Sequence, residues 1–199
     1  MASLFKSTKN TRQTIKGSHR YIRSDAVYEL SEDDIKWLRD NNITTIVDLR
    51  TREEVAQRPS CLSSIEGFNY MNIPVTCDMK VPETQDLVST SYIDMVDSTM
   101  WEIISTIENA QTNVLYFCFV GKDRTGVVSA LLLTRQGAPD KDIIDDYVLS
   151  ASHLKETLEE YVRVNPDADI EVMTPRAKYM EQFLAKLRNQ VTPENDKSP

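Results

Sequence analysis

The run Asn113-Val114-Leu115-Tyr116-Phe117 leads directly into Cys118-Phe119-Val120-Gly121-Lys122-Asp123-Arg124-Thr125-Gly126, and no other stretch of the chain constrains its fold as tightly. The first run reads as a buried strand. Thr125 to Gly137, carrying Val127, Val128, Ala130, Leu131, Leu132 and Leu133, reads as a helix. The segment between them is therefore a loop seated over a helix N-terminus. There, backbone N–H groups and the flexibility of Gly121 can wrap a tetrahedral anion, and the helix dipole favours negative charge. Arg124 can grip two oxygens of such an anion with its planar fork. Cys118 lies in the same field, which favours its thiolate and so a sulfur nucleophile. The hydroxyl of Thr125 is expected to hydrogen-bond that sulfur, steadying it before attack and again as it leaves.

The other elements place this junction in an α/β architecture. Ser31-Glu32-Asp33-Asp34 resembles a capping sequence that opens a helix through Asn41. Strands are predicted over Ile43 to Leu49 and Phe68 to Ile73, the latter halted by Pro74. Helices are predicted over Asp86 to Ala110, Asp140 to Val164 and Pro175 to Gln190. Strands alternating with helices imply a largely parallel sheet, with functional residues beyond the carboxyl ends of its strands. Cys118 is at such an end, as are Asp48-Leu49-Arg50 and Thr76-Cys77-Asp78, so three loops can converge on one site. Tyr92, Met95, Met100 and Trp101 form either a lid face over that site or part of the core.

At 199 residues and 40% hydrophobic content the chain fills one core, so residues 1–190 are expected to form a single domain with a disordered tail over 191–199. No apolar run is long enough for a membrane span, and the first twenty residues lack the apolar stretch of a secretory signal. Cys61, Cys77 and Cys118 show neither disulfide density nor metal-ligand spacing, which suits a reducing cytoplasm and a site without metal or other cofactor. The net charge of −8 is unevenly spread. Residues 1–24 hold Lys6, Lys9, Arg12, Lys16, Arg20 and Arg23 and no acid, a basic arm before an acidic body. The arm has four open destinations: the phosphate site, an anionic membrane surface met weakly, an acidic patch of the body itself, or solvent. The overall acidity argues against nucleic acid as a ligand.

The loop Cys-Phe-Val-Gly-Lys-Asp-Arg-Thr-Gly resembles the signature of the protein tyrosine phosphatase superfamily, and its Gly-Lys-Asp-Arg-Thr-Gly form resembles the bacterial tyrosine and phosphoinositide phosphatase branch. Tyr21-Ile22-Arg23-Ser24-Asp25, Ile46-Val47-Asp48-Leu49-Arg50 with Glu53-Glu54, and Ile143 to Ser150 agree with that branch in order. The resemblance implies a tyrosine-phosphatase-like α/β fold, a central mostly parallel sheet flanked by helices. It also implies a cysteine-dependent hydrolase of phosphotyrosine or phosphoinositide monoesters working through a thiophosphate. Cys118 is then the nucleophile, Arg124 and the loop residues Phe119, Val120, Gly121, Lys122, Thr125 and Gly126 hold the phosphoryl group, and Lys122 sits at the rim facing a further phosphate or acidic group. Asp123 is the favoured general acid and Asp78 the alternative, while Asp48 and Arg50 organise neighbouring loops. Where the family carries a histidine before the cysteine, this chain has Phe117. That departure leaves a second reading open, a phosphate-binding module of low turnover.

Overall fold

The computed structural model describes residues 3–77 and 80–191. Among them, a five-stranded sheet runs in the order β1-β2-β5-β3-β4, with β1 Arg12–Gln13, β2 Tyr21–Ser24, β3 Ile43–Asp48, β4 Asn69–Asn72 and β5 Asn113–Phe117. Only the β1 and β2 pair is antiparallel; β2, β5, β3 and β4 all run the same way. The central strand β5 is paired on both sides, and its alternate side chains enter two different cores, as expected of a parallel strand covered on both faces. Val114, Tyr116 and Cys118 face the larger core; Leu115 and Phe117 face the smaller one, with Phe5, Ile22, Leu38 and Ile46.

The helices are α1 Glu32–Asp40, α2 Arg52–Gln57, α3 Gln85–Asp94, α4 Ser98–Asn109, α5 Asp123–Arg135, α6 Asp140–His153, α7 Lys155–Val164, α8 Ile170–Met173 and α9 Ala177–Val191. Ser31 caps α1 through a reciprocal pair with Asp34, as its sequence predicts, and Thr51 caps α2 in the same way through Glu54. Helix α5 is buried all round from Arg124 to Leu133, which places it between the sheet and the outer helices and fixes where its N-terminus points.

Three predicted helices divide differently in the structure. The 86–110 segment breaks into α3 and α4, because Asp97 accepts from the Met100 N–H and starts a new helix. The 140–164 segment breaks at Leu154 into α6 and α7. The 175–190 helix begins at Ala177 and is preceded by the short α8. Residues 192–199 of the predicted tail lie outside the described residues.

The basic arm is folded into the domain, which chooses among its open destinations. It supplies β1 and β2, its Phe5 is buried, and four of its six cations, Lys9, Arg12, Arg20 and Arg23, have partners in the body. Arg12 and Arg23 both reach Asp146, and Arg20 donates to the carbonyls of Ile107, Glu108 and Thr112. Of the four destinations, Arg12 and Arg23 take the acidic group of the body.

Candidate active site

Strand β5 ends at Phe117, α5 begins at Asp123, and the intervening loop curls so that the Gly121 N–H points at the Cys118 sulfur, 3.3 Å away. Gly121 makes that curl possible. Its φ is +71°, and a Cβ there would lie 2.5 Å from the Ser24 carbonyl oxygen, so glycine is required both by conformation and by the close approach of β2. Cys118 is almost fully buried at the floor of the loop. Phe119 anchors the outer turn by accepting the Ala26 N–H at 3.1 Å, while its ring stands 54% exposed. Val120 is half-buried, and Gly126 packs against the Tyr147 ring, where a Cβ would sit at 3.3 Å.

Arg124 lies in the first turn of α5 with its guanidinium held end-on by Glu54, Nη1 donating to Oε2 at 2.6 Å and Nη2 to Oε1 at 2.9 Å. Two of the five guanidinium N–H groups are thereby used, and three remain for an anion. Burial opposes the charge of Arg124, but the Glu54 carboxylate and the nearby Cys118 outweigh it and hold the group firmly protonated. Burial likewise opposes the Glu54 charge, and the hydrogen bonds from Arg124 and the Thr51 N–H bring its carboxyl below the usual range. Glu54 carries the orientation of the arginine, yet the sequence drew attention to it only as part of a matching stretch. The signal was present locally: Thr51-Arg52-Glu53-Glu54 is a capping box, which fixes the direction in which the Glu54 side chain leaves α2.

Two expectations for the loop are corrected. The Thr125 hydroxyl does not reach Cys118; it is buried without a hydrogen-bond partner among the described residues, and the sulfur is met instead by the Gly121 N–H. Lys122 is not at an open rim. It is buried because α8 packs over it, its ammonium donating to the Met173 carbonyl at 2.6 Å and lying 3.4 Å from Asp123 Oδ2.

Asp123 opens α5 and accepts the Tyr92 hydroxyl at 2.5 Å, Tyr92 being hydrogen-bonded in turn to Tyr147 at 2.7 Å. Both tyrosines are fully buried and held neutral, their hydroxyls pushed well above the usual range first by burial and then by the Asp123 charge. Asp123, Lys122, Arg124, Tyr92 and Cys77 line one cleft of about 130 Å³, whose remaining walls include Val81, Pro82, Val88, Met95 and Val172. Tyr92 and Met95 thus belong to the cleft wall, whereas Met100 is fully buried in the core and Trp101 stands 39% exposed. Asp78, the alternative acid, lies outside the described residues.

Asp48 and Arg50 form a pair without solvent exposure, Arg50 Nη2 donating to Asp48 Oδ2 at 2.6 Å. Tyr70 donates to the same oxygen, and Arg50 Nη1 donates to the Arg58 carbonyl, so the pair ties the β3 end to β4 and to the segment after α2. The Arg50 guanidinium also lies over the Phe117 ring, on the sheet face away from Cys118.

Sequence comparison places the whole chain in a family. The profile of the tyrosine phosphatase family matches residues 6–193, nearly the whole chain. The chain belongs to the tyrosine phosphatase family. A tyrosine-protein phosphatase of Nostoc commune is 28% identical over 154 residues, 72% of this chain and 52% of that protein. The chain therefore spans about half the length of the curated relative it matches. Similar solved structures include P. aeruginosa TpbA, at 16% identity over 94% of this chain and 95% of that one with a TM-score of 0.46. Human DUSP28 superposes with a TM-score of 0.47 at 13% identity, covering 96% of this chain and all of the other. Membership of the family rests on the sequence match and not on these loose superpositions.

Proposed function

We propose that this tyrosine phosphatase family member is a cysteine-dependent hydrolase of phosphotyrosine monoesters. One observation carries the reading: the Cys118 sulfur receives the Gly121 N–H beside an arginine whose fork is already oriented by Glu54. In this scheme the Cys118 thiolate attacks phosphorus in line as the bond to the aryl oxygen breaks, and Asp123 gives its proton to that departing oxygen. Water then attacks the thiophosphate and gives a proton to the Asp123 carboxylate, the sulfur–phosphorus bond breaks, and inorganic phosphate leaves with the thiolate and the Asp123 acid restored. Arg124 and the loop N–H groups stabilise the charge on the equatorial oxygens, and because they are held in place beforehand they need no reorganisation during the reaction.

Two features favour an aryl phosphate over an inositide. The cleft that Asp123 and Arg124 line has apolar walls, Val81, Pro82, Val88, Met95 and Val172, that suit an aromatic ring, while Cys118 is not part of its lining. Three cations considered for additional phosphates are held by protein groups, Lys122 by Met173 and Asp123, Arg12 and Arg23 by Asp146, and the exposed cation of the cleft is Lys80. The Phe117 side chain enters the core on the opposite sheet face from the sulfur, and the low-turnover module that this position leaves open is separated by the assay below.

Comparing kcat/KM on a phosphotyrosine peptide with that on mono- and bisphosphorylated inositides tests the proposal, with Cys118→Ser as control. Preference for the peptide, abolished in Cys118→Ser, supports it. Preference for an inositide overturns the substrate class. Tight binding of phosphotyrosine peptide without turnover makes the protein a binding module.

A further inference from the structure

Around the Gly121 carbonyl lies a buried polar cluster that the chemistry above does not use. Asp146 of α6 accepts Arg12 Nε at 3.0 Å on one oxygen and Arg23 Nη1 on the other. Arg12 also donates to the Asp146 carbonyl at 2.7 Å, to Ser150 Oγ at 3.0 Å and to the side-chain oxygen of Asn10. Two side chains of this cluster then converge on one atom of the loop: Arg23 Nη2 donates to the Gly121 carbonyl at 2.9 Å and Asn10 Nδ2 donates to it at 2.8 Å.

That carbonyl determines more than its own position. A trans peptide is planar, with its C=O and N–H pointing in opposite directions. Drawing the Gly121 oxygen down towards Arg23 and Asn10 turns the Lys122 N–H the other way, up towards the side where an anion would sit over α5. The preceding peptide is fixed by the same residue, because the Gly121 N–H is aimed at Cys118. The charge is also unbalanced. Arg12 and Arg23 share a single partner carboxylate, and burial together with the Arg23 charge pushes the Arg12 guanidinium down to about 10. Asp25 faces the cluster from the end of β2, but its carboxylate is held by the backbone N–H groups of Lys9 and Asn10, and burial pushes it up. An excess cation held in a low-dielectric interior acts strongly on any anion bound above it.

We propose that Arg23 and Asn10, locked by Asp146 and Arg12, are positioning residues for the anion cup: they fix the Gly121–Lys122 peptide with its N–H towards the bound phosphoryl group and supply positive charge from below. This rests on the reading of the loop as a phosphoryl site and extends it to residues that never touch the substrate.

Calorimetric titration with tungstate, a non-reactive tetrahedral anion, tests the inference on the full chain without requiring turnover. Arg23→Met removes both donor and charge and is expected to weaken tungstate binding about tenfold. Arg23→Lys, which keeps the charge and one donor, is expected to recover part of that loss. In the wild type, kcat on para-nitrophenyl phosphate should exceed that of Arg23→Met by a larger factor than KM changes, since the peptide is aligned for the equatorial oxygens of the transition state. Arg23→Met with native circular dichroism and wild-type tungstate affinity overturns the proposal. If Arg23→Met does not fold, Asn10→Ala, which leaves the three charged groups paired, carries the test alone: a three- to tenfold loss supports the inference, and unchanged affinity overturns it. Wild-type protein that binds tungstate in an Arg23-dependent way but hydrolyses no phosphoester refutes the hydrolase and leaves this inference standing. No tungstate binding at all refutes both.

Discussion

Glu54→Gln isolates the orientation of Arg124 from its presence. The Glu54 carboxylate accepts three donors: Arg124 Nη1 at 2.6 Å and the Thr51 N–H at 2.8 Å on Oε2, and Arg124 Nη2 at 2.9 Å on Oε1. A glutamine of the same shape must put its NH₂ where one of those oxygens was. Placed at Oε1 it faces Arg124 Nη2 donor to donor; placed at Oε2 it opposes two donors. The milder choice loses one charge-assisted hydrogen bond and converts the others to neutral acceptors, about 2 kcal/mol of orienting energy. If that energy is felt in the transition state, kcat/KM falls roughly thirtyfold. The assay is steady-state hydrolysis of para-nitrophenyl phosphate near neutral pH, with circular dichroism to establish folding. The wild type carries a matching pH dependence. The folded Glu54 carboxyl lies below its ordinary value, so the pair is intact above the usual glutamate range and is lost as pH falls through the depressed value. Glu54→Gln should lack that acid limb. A folded Glu54→Gln enzyme within threefold of wild-type kcat/KM would refute the claim that Glu54 holds Arg124 ready.

Asp123→Asn should cost about 10²–10⁴ in kcat on a phosphotyrosine peptide and much less on a substrate with a good leaving group, which initial rates on the two substrates will reveal. Gly121→Ala forces a Cβ to within 2.5 Å of the Ser24 oxygen at a φ of +71°, and should lower stability by roughly 2–4 kcal/mol in denaturant titration while also abolishing turnover. Asp48→Asn leaves the fully buried Arg50 without its carboxylate and should destabilise by about 3–5 kcal/mol, with turnover per folded molecule nearly unchanged.

How legible each part was depended on whether its signal was local. Strand β5 and helix α5 could be read because each is apolar well beyond what a one-sided element requires, and the loop between them inherits its geometry from that pair. The α1 cap could be read because Ser31 and Asp34 satisfy each other within one turn. The break between α3 and α4 was harder, since the apolar spacing continues across Asp97 and only its capping bond to Met100 interrupts the helix. The destination of the arm stayed open along the chain for a related reason. A run of cations without acids looks solvated along the chain, and nothing within residues 1–24 points to Asp146, more than a hundred residues away.

The sequence by itself determined the chemical parts of the site: a cysteine, a glycine turn and an arginine at a strand-to-helix junction, whose spacing places them over one helix N-terminus. Only the tertiary structure decided which side chains hold those parts in position. Glu54 on Arg124, Tyr92 on Asp123, Met173 over Lys122, and Arg23 with Asn10 beneath Gly121 each join segments separated by tens to more than a hundred residues. Such contacts leave no periodicity in the chain, because a hydrogen bond depends on distance and direction in space, which are set only when the helices have packed against the sheet.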